Sequence, residues 1–268
     1  MKVNEINDEY KKYLKEKREK KYIVLFWQVF IVIGFCVMWE LLARWGIINA
    51  FLFSSPSQIY KLFIKYMTDG SLLKHIGISV IETILGFSLG TILGIIVAII
   101  LWWSKLIAKI FDPILVVLNA LPKTALAPII IVWVGAGIKG IVITAISISI
   151  VTTIISAYSY FVLVDEDKIK MLRSFGASKL QVLTKLILPS NVANIVSIIK
   201  INIGLSWVGV IVGEFLVSRY GIGYLIVYGG QVFRLDLVMM GVIVLAFCAF
   251  IMYQVVNSIE KIIRRERN

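Results

Sequence analysis

Residues 77–103 read GISVIETILGFSLGTILGIIVAIILWW, and this stretch decides the fold class. Glu82 is its only charged residue. A helix needs about 20 predominantly apolar residues to cross a bilayer, and this run is long enough. Gly86, Gly90 and Gly94 recur every four residues, so they lie on one helical face where another helix can approach closely. The stretch therefore predicts a transmembrane helix that packs tightly within a bundle.

The chain as a whole is also strongly apolar. It has 268 residues, of which 59% are hydrophobic and 16% are charged, and its mean hydropathy is +0.91. Soluble domains are roughly half apolar and about a quarter charged. The fold class predicted is an all-α, polytopic membrane bundle of about six transmembrane helices. These spans lie near residues 22–43, 77–103, 107–134, 139–163, 192–217 and 237–259.

Three segments organise the chain: a basic cytoplasmic segment (1–21), a transmembrane domain (22–260) and a basic cytoplasmic tail (261–268). The apolar run that starts at Tyr22 is too long for a signal-peptide core and has no small-residue cleavage motif, so we expect a retained first span. Segment 1–21 has four apolar residues at helical spacing: Ile6, Tyr10, Tyr13 and Leu14. This segment is therefore either an interfacial helix or a disordered tail.

Basic residues predict the orientation. With both termini inside, the tails, the 104–109 turn and the 164–191 segment hold nineteen of the 28 Lys and Arg residues, and the outer loops hold seven. Cytoplasmic loops carry the excess of positive charge in membrane proteins. The 164–191 segment is therefore expected to be cytoplasmic. The same charge would suit nucleic acid, but next to membrane spans the orientation role is the better explanation.

Motifs for catalysis are missing from the sequence. The stretch nearest to a phosphate-binding loop, Gly135–Gly140, lacks the required order and hydroxyl group. Cys36 and Cys248 lie in apolar runs and His75 has no ligand companions, so neither a disulfide nor a metal site is predicted. We expect no catalytic residue, no metal ligand and no nucleic-acid partner for this chain.

The 165–189 segment, DEDKIKMLRSFGASKLQVLTKLILP, predicts a cytoplasmic helix–turn–helix. Gly176 permits a turn, and Ser178 is a typical cap for a second helix. The apolar face expected for that helix comprises Leu180, Leu183, Leu186 and Ile187. Such an element indicates docking of a partner without naming it.

This segment resembles the EAA loop of ABC importer permeases through Gly176-Ala-Ser178 and the closing Leu188-Pro189. Further stretches resemble the nitrate/sulfonate/taurine-type branch: Ile84–Gly90, Leu121–Pro128 with Trp133–Gly135, Trp207–Glu214 and Gly221–Tyr224. The similarity covers about residues 50–260. It implies a type I importer permease that acts as a homodimer, with two ATPase subunits that bind ATP and Mg, and with an external substrate-binding protein.

The resemblance also implies which residues dock the ATPase: Glu166, Lys170, Arg173, Gly176, Ala177 and Ser178. Lys170 stands where the EAA loop has its glutamate, so the local hydrogen bonds must differ, and Glu166 is a candidate substitute. Glu82 stands where this branch commonly carries arginine.

Five residues are candidates for the translocation path: Lys123, Asn202, Ser206, Trp207 and Glu214. Each has an alternative structural role. Lys123 either attracts an anionic solute or binds carbonyls freed by the adjacent prolines. Asn202 and Ser206 share a helical face that either lines the path or joins helices.

Glu214 either shapes the outer gate or pairs with Arg219, and Glu82 is a candidate partner of Lys74 or His75. The cargo implied by the resemblance is an aliphatic sulfonate, taurine or nitrate-like anion. A neutral heterocycle such as a thiamine precursor or riboflavin is the alternative. An ion-coupled secondary transporter is a more distant alternative, which would require charged coupling sites or inverted repeats.

Overall fold

The computed structural model describes residues 2–265, with side chains described for residues 15–258 and for Lys261. Within that range all regular structure is helical. Five helices are long and apolar enough to cross a membrane, and a sharply bent pair provides a sixth span if it is counted as one. The predicted all-α bundle of about six spans is confirmed. Part of the predicted basic tail, residues 266–268, lies outside the described residues.

Residues 1–62 and 63–268 form two separate units. The first contains α1 (Lys2–Arg44), α2 (Ala50–Phe53) and the start of α3 (Pro56–Thr68). Helix α1 continues without a break from the basic segment into the first span, so no separate short helix precedes that span. The apolar side chains that suggested an interfacial helix, from Ile6 to Leu14, are not among the described side chains. Glu40 accepts hydrogen bonds from the Arg44 side chain at 2.8 Å and from the Ser57 amide at 3.0 Å.

Asp69 accepts two hydrogen bonds from Ser71 at the end of the loop that follows α3, and these bonds hold the pKa of Asp69 below its ordinary value.

The second unit continues from α3 through ten further helices. The ten are α4 (Ser71–Trp103), α5 (Lys105–Ala120), α6 (Ala127–Val134), α7 (Ile138–Val162), α8 (Glu166–Ser174), α9 (Lys179–Val182), α10 (Leu188–Ser190), α11 (Val192–Val217), α12 (Ile222–Gln231) and α13 (Leu235–Arg265). A 3₁₀ turn (Lys123–Leu126) precedes α6 and a π-helical turn (Leu183–Ile187) follows α9.

Helix α7 lies at the centre of this unit, packed between α4 and α11. A Cβ atom placed on Gly86 of α4 would lie 2.7 Å from the Cβ of Ala145, and one on Gly94 would lie 2.6 Å from Thr153. On the other side, a Cβ on Gly209 of α11 would lie 2.5 Å from the Ala145 Cα. The predicted glycine face of α4 is confirmed as a close helix contact. Gly204 of α11, in contrast, faces open space.

The predicted third span is not one continuous helix. The segments Lys105–Ala120 and Lys123–Val134 meet at an angle of 86°. Leu121 is extended, with ψ 140°, as is usual for a residue before proline, and Pro122 with ψ 86° completes the break. The span predicted over 107–134 is therefore present as a bent pair of helices, and Lys123 lies at the break.

Candidate functional site

The helix–turn–helix of the 165–189 segment forms as predicted, and its turn is a Schellman motif. Helix α8 ends before Gly176, whose φ of 81° lies in the left-handed region. The Ala177 amide donates to the Leu172 carbonyl at 3.1 Å, and the Gly176 amide donates to the Arg173 carbonyl at 2.9 Å. These two bonds satisfy carbonyl groups at the helix end, and glycine is the residue best suited to that position.

Ser178 begins α9 with a capping box. Its hydroxyl accepts from the Gln181 amide at 3.3 Å, and its own amide donates to the Gln181 side chain at 2.7 Å. Two amides that the helix itself leaves unbonded are thereby satisfied reciprocally. The cap that the sequence predicts at Ser178 is confirmed.

The segment is anchored in the transmembrane core. Val182, Leu183 and Ile187 are buried, and they belong to one apolar cluster with side chains of α4, α7 and α11: Ala98, Ala157, Phe161 and Ile198. Leu180 was expected on this apolar face, but 58% of it is exposed, so that prediction is wrong. The side chain that takes part instead, Val182, precedes a π-helical turn, and such a turn departs from regular α-helical spacing.

The opposite side of the segment is exposed and mixes charge with apolar surface. Lys170 pairs with Asp167 at 3.1 Å, and both side chains are largely in water. Phe175 is 81% exposed, Leu180 is 58% exposed and Met171 is 54% exposed. Such an apolar patch with charged neighbours is typical of a protein–protein contact.

Lys123 starts the 3₁₀ turn at the break between α5 and α6. Its ammonium group lies 3.2 Å from Asn119 Oδ1 and 3.4 Å from Thr152 Oγ1. Both partners are neutral side chains rather than the freed carbonyls that the structural alternative proposed. Among the side chains described, none of the acidic groups pairs with Lys123. The lysine therefore retains an uncompensated charge and, having three N–H donors, one free donor.

Asn202, Ser206 and Trp207 lie in the interior of the second unit. The Asn202 amide nitrogen donates to Thr91 Oγ1 of α4 and Thr153 Oγ1 of α7, both at 2.7 Å. Asn202 and Ser206 have no exposed surface and Trp207 has 4%. These contacts join α11 to its two neighbours, which favours the helix-joining role for Asn202, and a path role for the three remains a prediction.

Glu214 fastens the start of α12 to the bundle. Its Oε1 accepts from the Ser79 hydroxyl of α4 at 2.5 Å, and its Oε2 accepts from the Gly223 amide at 2.5 Å. Ser79 Oγ in turn accepts from the Ile222 amide at 2.8 Å. A carboxylate at the N-terminus of a helix is favoured by the orphan amides there. Glu214 thus bonds to the α11–α12 turn and to α4, and Arg219 is not among its partners.

Two further buried side chains, His75 and Glu82, lie on α4. His75 Nδ1 lies 2.9 Å from the Gly221 amide nitrogen, which donates to it. Glu82 is fully buried, and its Oε2 has no hydrogen-bond partner among the described residues. Neither Lys74 nor His75, the partners considered from the sequence, pairs with Glu82 among the side chains described.

Replacing Glu214 by alanine is expected to lower the stability of the folded chain. The change removes the acceptor of the buried Gly223 amide and of the Ser79 hydroxyl, at about 1–3 kcal/mol for each group left unsatisfied. Glu214→Gln keeps an acceptor and a donor at these positions, so we expect its loss of stability to be no more than half that of Glu214→Ala. Thermal unfolding of the purified chain in neutral detergent measures both. Equal losses in the two variants would contradict a hydrogen-bonding role.

Comparisons with known proteins agree with this architecture. Residues 90–267, more than half of the chain, match the family model described as "Binding-protein-dependent transport system inner membrane component". A Bacillus subtilis (strain 168) protein named as an aliphatic sulfonates transport permease, SsuC, is 28% identical over 86% of this chain and 84% of its own length. The taurine transport system permease protein TauC of Escherichia coli (strain K12) is 24% identical over 84% of this chain and 83% of its own.

A solved structure has the same fold. A chain of the MetNI methionine ABC transporter, in an inward-facing conformation, superposes with a TM-score of 0.59 at 14% identity, over 74% of this chain and 96% of that chain. The predictions of a membrane-embedded ABC importer permease and of a non-enzymatic transport subunit are confirmed at the level of the family. The chain belongs to the inner membrane components of binding-protein-dependent transport systems.

Proposed function

We propose that two copies of this chain form the translocation path of an importer for a small sulfonate such as taurine or an alkanesulfonate. Two ATPase subunits that bind ATP and Mg dock on the α8–α9 segment of the two copies, and an external binding protein delivers the solute. The observation that carries this proposal is the α8–α9 segment itself, because it is exposed on one side and anchored to three membrane helices on the other.

The docking surface has two parts. Met171, Phe175 and Leu180 supply the exposed apolar surface, which is suited to a cleft on the ATPase. The charged side chains beside it, Glu166, Lys170 and Arg173, set the orientation of the contact. Gly176, Ala177 and Ser178 hold the two short helices at a fixed angle through the Schellman motif and the capping box.

Coupling follows from the attachment of this segment. Val182, Leu183 and Ile187 pack into one cluster with α4, α7 and α11, so a displacement of α8 and α9 must repack that cluster. Close-packed interiors transmit such displacements because they have few voids to absorb them. The excess of basic residues on the same side supports a cytoplasmic position for this segment and for both termini.

The charge on Lys123 supports an anionic solute. It lies at the break of a membrane helix with neutral partners only, among the side chains described. A charge at membrane depth is costly unless it faces protein or water, and such residues commonly mark solute pathways. The relatives that transport aliphatic sulfonates and taurine support the same class of solute.

Lys123→Met is expected to lower uptake of labelled taurine or an alkanesulfonate roughly 10- to 100-fold, as for loss of a charged hydrogen bond worth about 1.5–3 kcal/mol. The amount of assembled transporter in the membrane should not change. Uptake by whole cells and immunoblots of purified complexes give the two readouts. Lys139→Met is the matched control, since Lys139 is exposed at the start of α7, and it should leave uptake unchanged.

Normal sulfonate uptake by the Lys123→Met variant would exclude the proposed role of this lysine. Uptake of a thiamine precursor or riboflavin by the unmodified transporter, without any uptake of sulfonates, would exclude the proposed substrate class and favour the neutral heterocycle.

A further inference from the structure

A basic cavity lies between the α8–α9 segment and the ends of the membrane helices. Its volume is about 440 Å³, within the range of about 300–1,000 Å³ typical of ligand sites. One acidic side chain, Glu166, lines it. The other charged side chains that line it are five cations: Lys105, Lys109, Lys170, Arg173 and Lys179. The apolar part of the proposed ATPase contact, Met171, Phe175 and Leu180, does not line this cavity, whereas its charged part, Glu166, Lys170 and Arg173, borders both.

The cations differ in how far their charge is already compensated. Lys170 pairs with Asp167, and Lys179 donates to the Trp103 carbonyl and lies 5.3 Å from the Trp103 ring centroid. Lys105 and Lys109 form no ion pair or hydrogen bond with any side chain that the structure describes. Several like charges around one cavity repel each other, so an anion bound there removes a repulsion as well as forming new contacts.

The position of the cavity points to a lipid as the source of that anion. It lies where α4 ends with Trp102 and Trp103, and such paired aromatic residues mark the membrane–water interface. Next to the two lysines on α5, Leu106 is 69% exposed and Ile110 is 54% exposed, so acyl chains have apolar surface beside the charged group. Basic pockets between membrane helices at this depth are suited to phospholipid headgroups.

We propose that this cavity binds the phosphate group of an anionic phospholipid, with Lys105 and Lys109 as principal contacts. Arg173 completes the site from α8, so a bound lipid joins the end of the α4–α5 hairpin to the α8–α9 segment. A free phosphate ion could form the same contacts with the lysines, but it would not contact the apolar surface of Leu106 and Ile110. The proposal concerns this chain alone and does not depend on which solute is transported.

The test uses the full-length chain, delipidated in neutral detergent and titrated with dioctanoyl phosphatidylglycerol. Dioctanoyl phosphatidylcholine and sodium phosphate are the parallel probes. We expect saturable binding of phosphatidylglycerol, measured as a rise in melting temperature, with no comparable effect of the other two. The variant Lys105→Gln/Lys109→Gln should bind roughly 30-fold more weakly, since each basic residue near a membrane surface contributes about fivefold in affinity.

Lys168→Gln/Lys185→Gln is the matched control, because it removes two exposed cations of the same cytoplasmic segment that do not line the cavity. It should bind phosphatidylglycerol as the unmodified chain does. Equal weakening in both double variants would show a general charge effect and overturn the proposal. Binding of sodium phosphate with the affinity of phosphatidylglycerol would overturn the lipid assignment, as would occupation of the cavity by the ATPase, detected as protection of Lys109 from acylation in lipid-free complexes.

Discussion

Replacing Gly176 by valine is expected to abolish recovery of the ATPase with this chain. Gly176 has a φ of 81°, and a β-branched residue in that region is strained by about 1–3 kcal/mol. Beyond Gly176 and its two chain neighbours, nothing lies within 4 Å of the position that its Cβ would occupy, so the effect is one of backbone conformation and not of a clash. We expect the turn to relieve the strain by leaving the left-handed region, which would break the Schellman bonds and change the angle between α8 and α9. Affinity purification of the tagged chain from native membranes measures the loss.

Gly176→Asn provides the matched control. Asparagine enters the left-handed region far more readily than valine, so most of the ATPase should be retained. Recovery of equal amounts of ATPase with the valine and asparagine variants would contradict a requirement for this turn geometry.

Gly209→Leu is expected to leave no folded protein after extraction from the membrane. A Cβ at Gly209 would lie 2.5 Å from the Cα and 3.0 Å from the backbone nitrogen of Ala145, so α11 and α7 would have to move apart. Ala145 also meets α4 at Gly86, so the separation disturbs both contacts of the central helix. Overpacking of a core costs about 1–3 kcal/mol even where side chains can adjust, and here the obstacle is backbone. Size-exclusion chromatography in detergent measures the yield of monodisperse protein.

Gly204→Leu, five residues earlier on the same helix, provides the control. Nothing lies within 4 Å of its Cβ position, and leucine favours a helix over glycine by up to about 1 kcal/mol. Its yield should equal that of the unmodified chain. A loss as large as that of Gly209→Leu would show that the contact of Gly209 with Ala145 does not explain the effect.

The α8–α9 segment was predictable because its signals are local. Gly176 and Ser178 specify the turn and the cap through their own backbone and side-chain chemistry, and both form as expected. The identity of the partner, an ATPase, was expected only from the resemblance to the EAA loop. The anchoring face was predicted less well, because the π-helical turn that follows Val182 departs from regular spacing and has no sequence signal as clear as a glycine.

The prolines beside Lys123 indicated a loosened backbone, but the sharp bend was not predicted because hydropathy continues across it. Proline is tolerated within membrane helices, so Pro122 alone does not distinguish a kinked span from a broken one. The 86° bend depends on how α6 and the 3₁₀ turn pack against α7, which is a tertiary contact.

The cluster at Glu214 depends on contacts between residues distant in sequence. Ser79 and Glu214 are 135 positions apart, and His75 and Gly221 are 146 apart. From the sequence, the nearest opposite charges were the natural partners of Glu82 and Glu214. In the bundle, backbone amides at the start of α12 meet Glu214 instead, because a helix N-terminus presents several donors that need acceptors. The neighbouring pair Gly221 and Gly223 was a usable signal, since a Cβ on either would overlap with Glu214.

We propose that this chain forms a path moved by a separate ATPase docked on α8–α9. Purification of the tagged chain from its native membranes, followed by an ATPase assay of the product, is the first test. We expect a stoichiometric ATPase subunit with a phosphate-binding loop, and ATP hydrolysis that disappears with the Gly176→Val variant. Recovery of this chain alone, with transport into liposomes driven by an ion gradient and without ATP, would exclude a path driven by a docked ATPase.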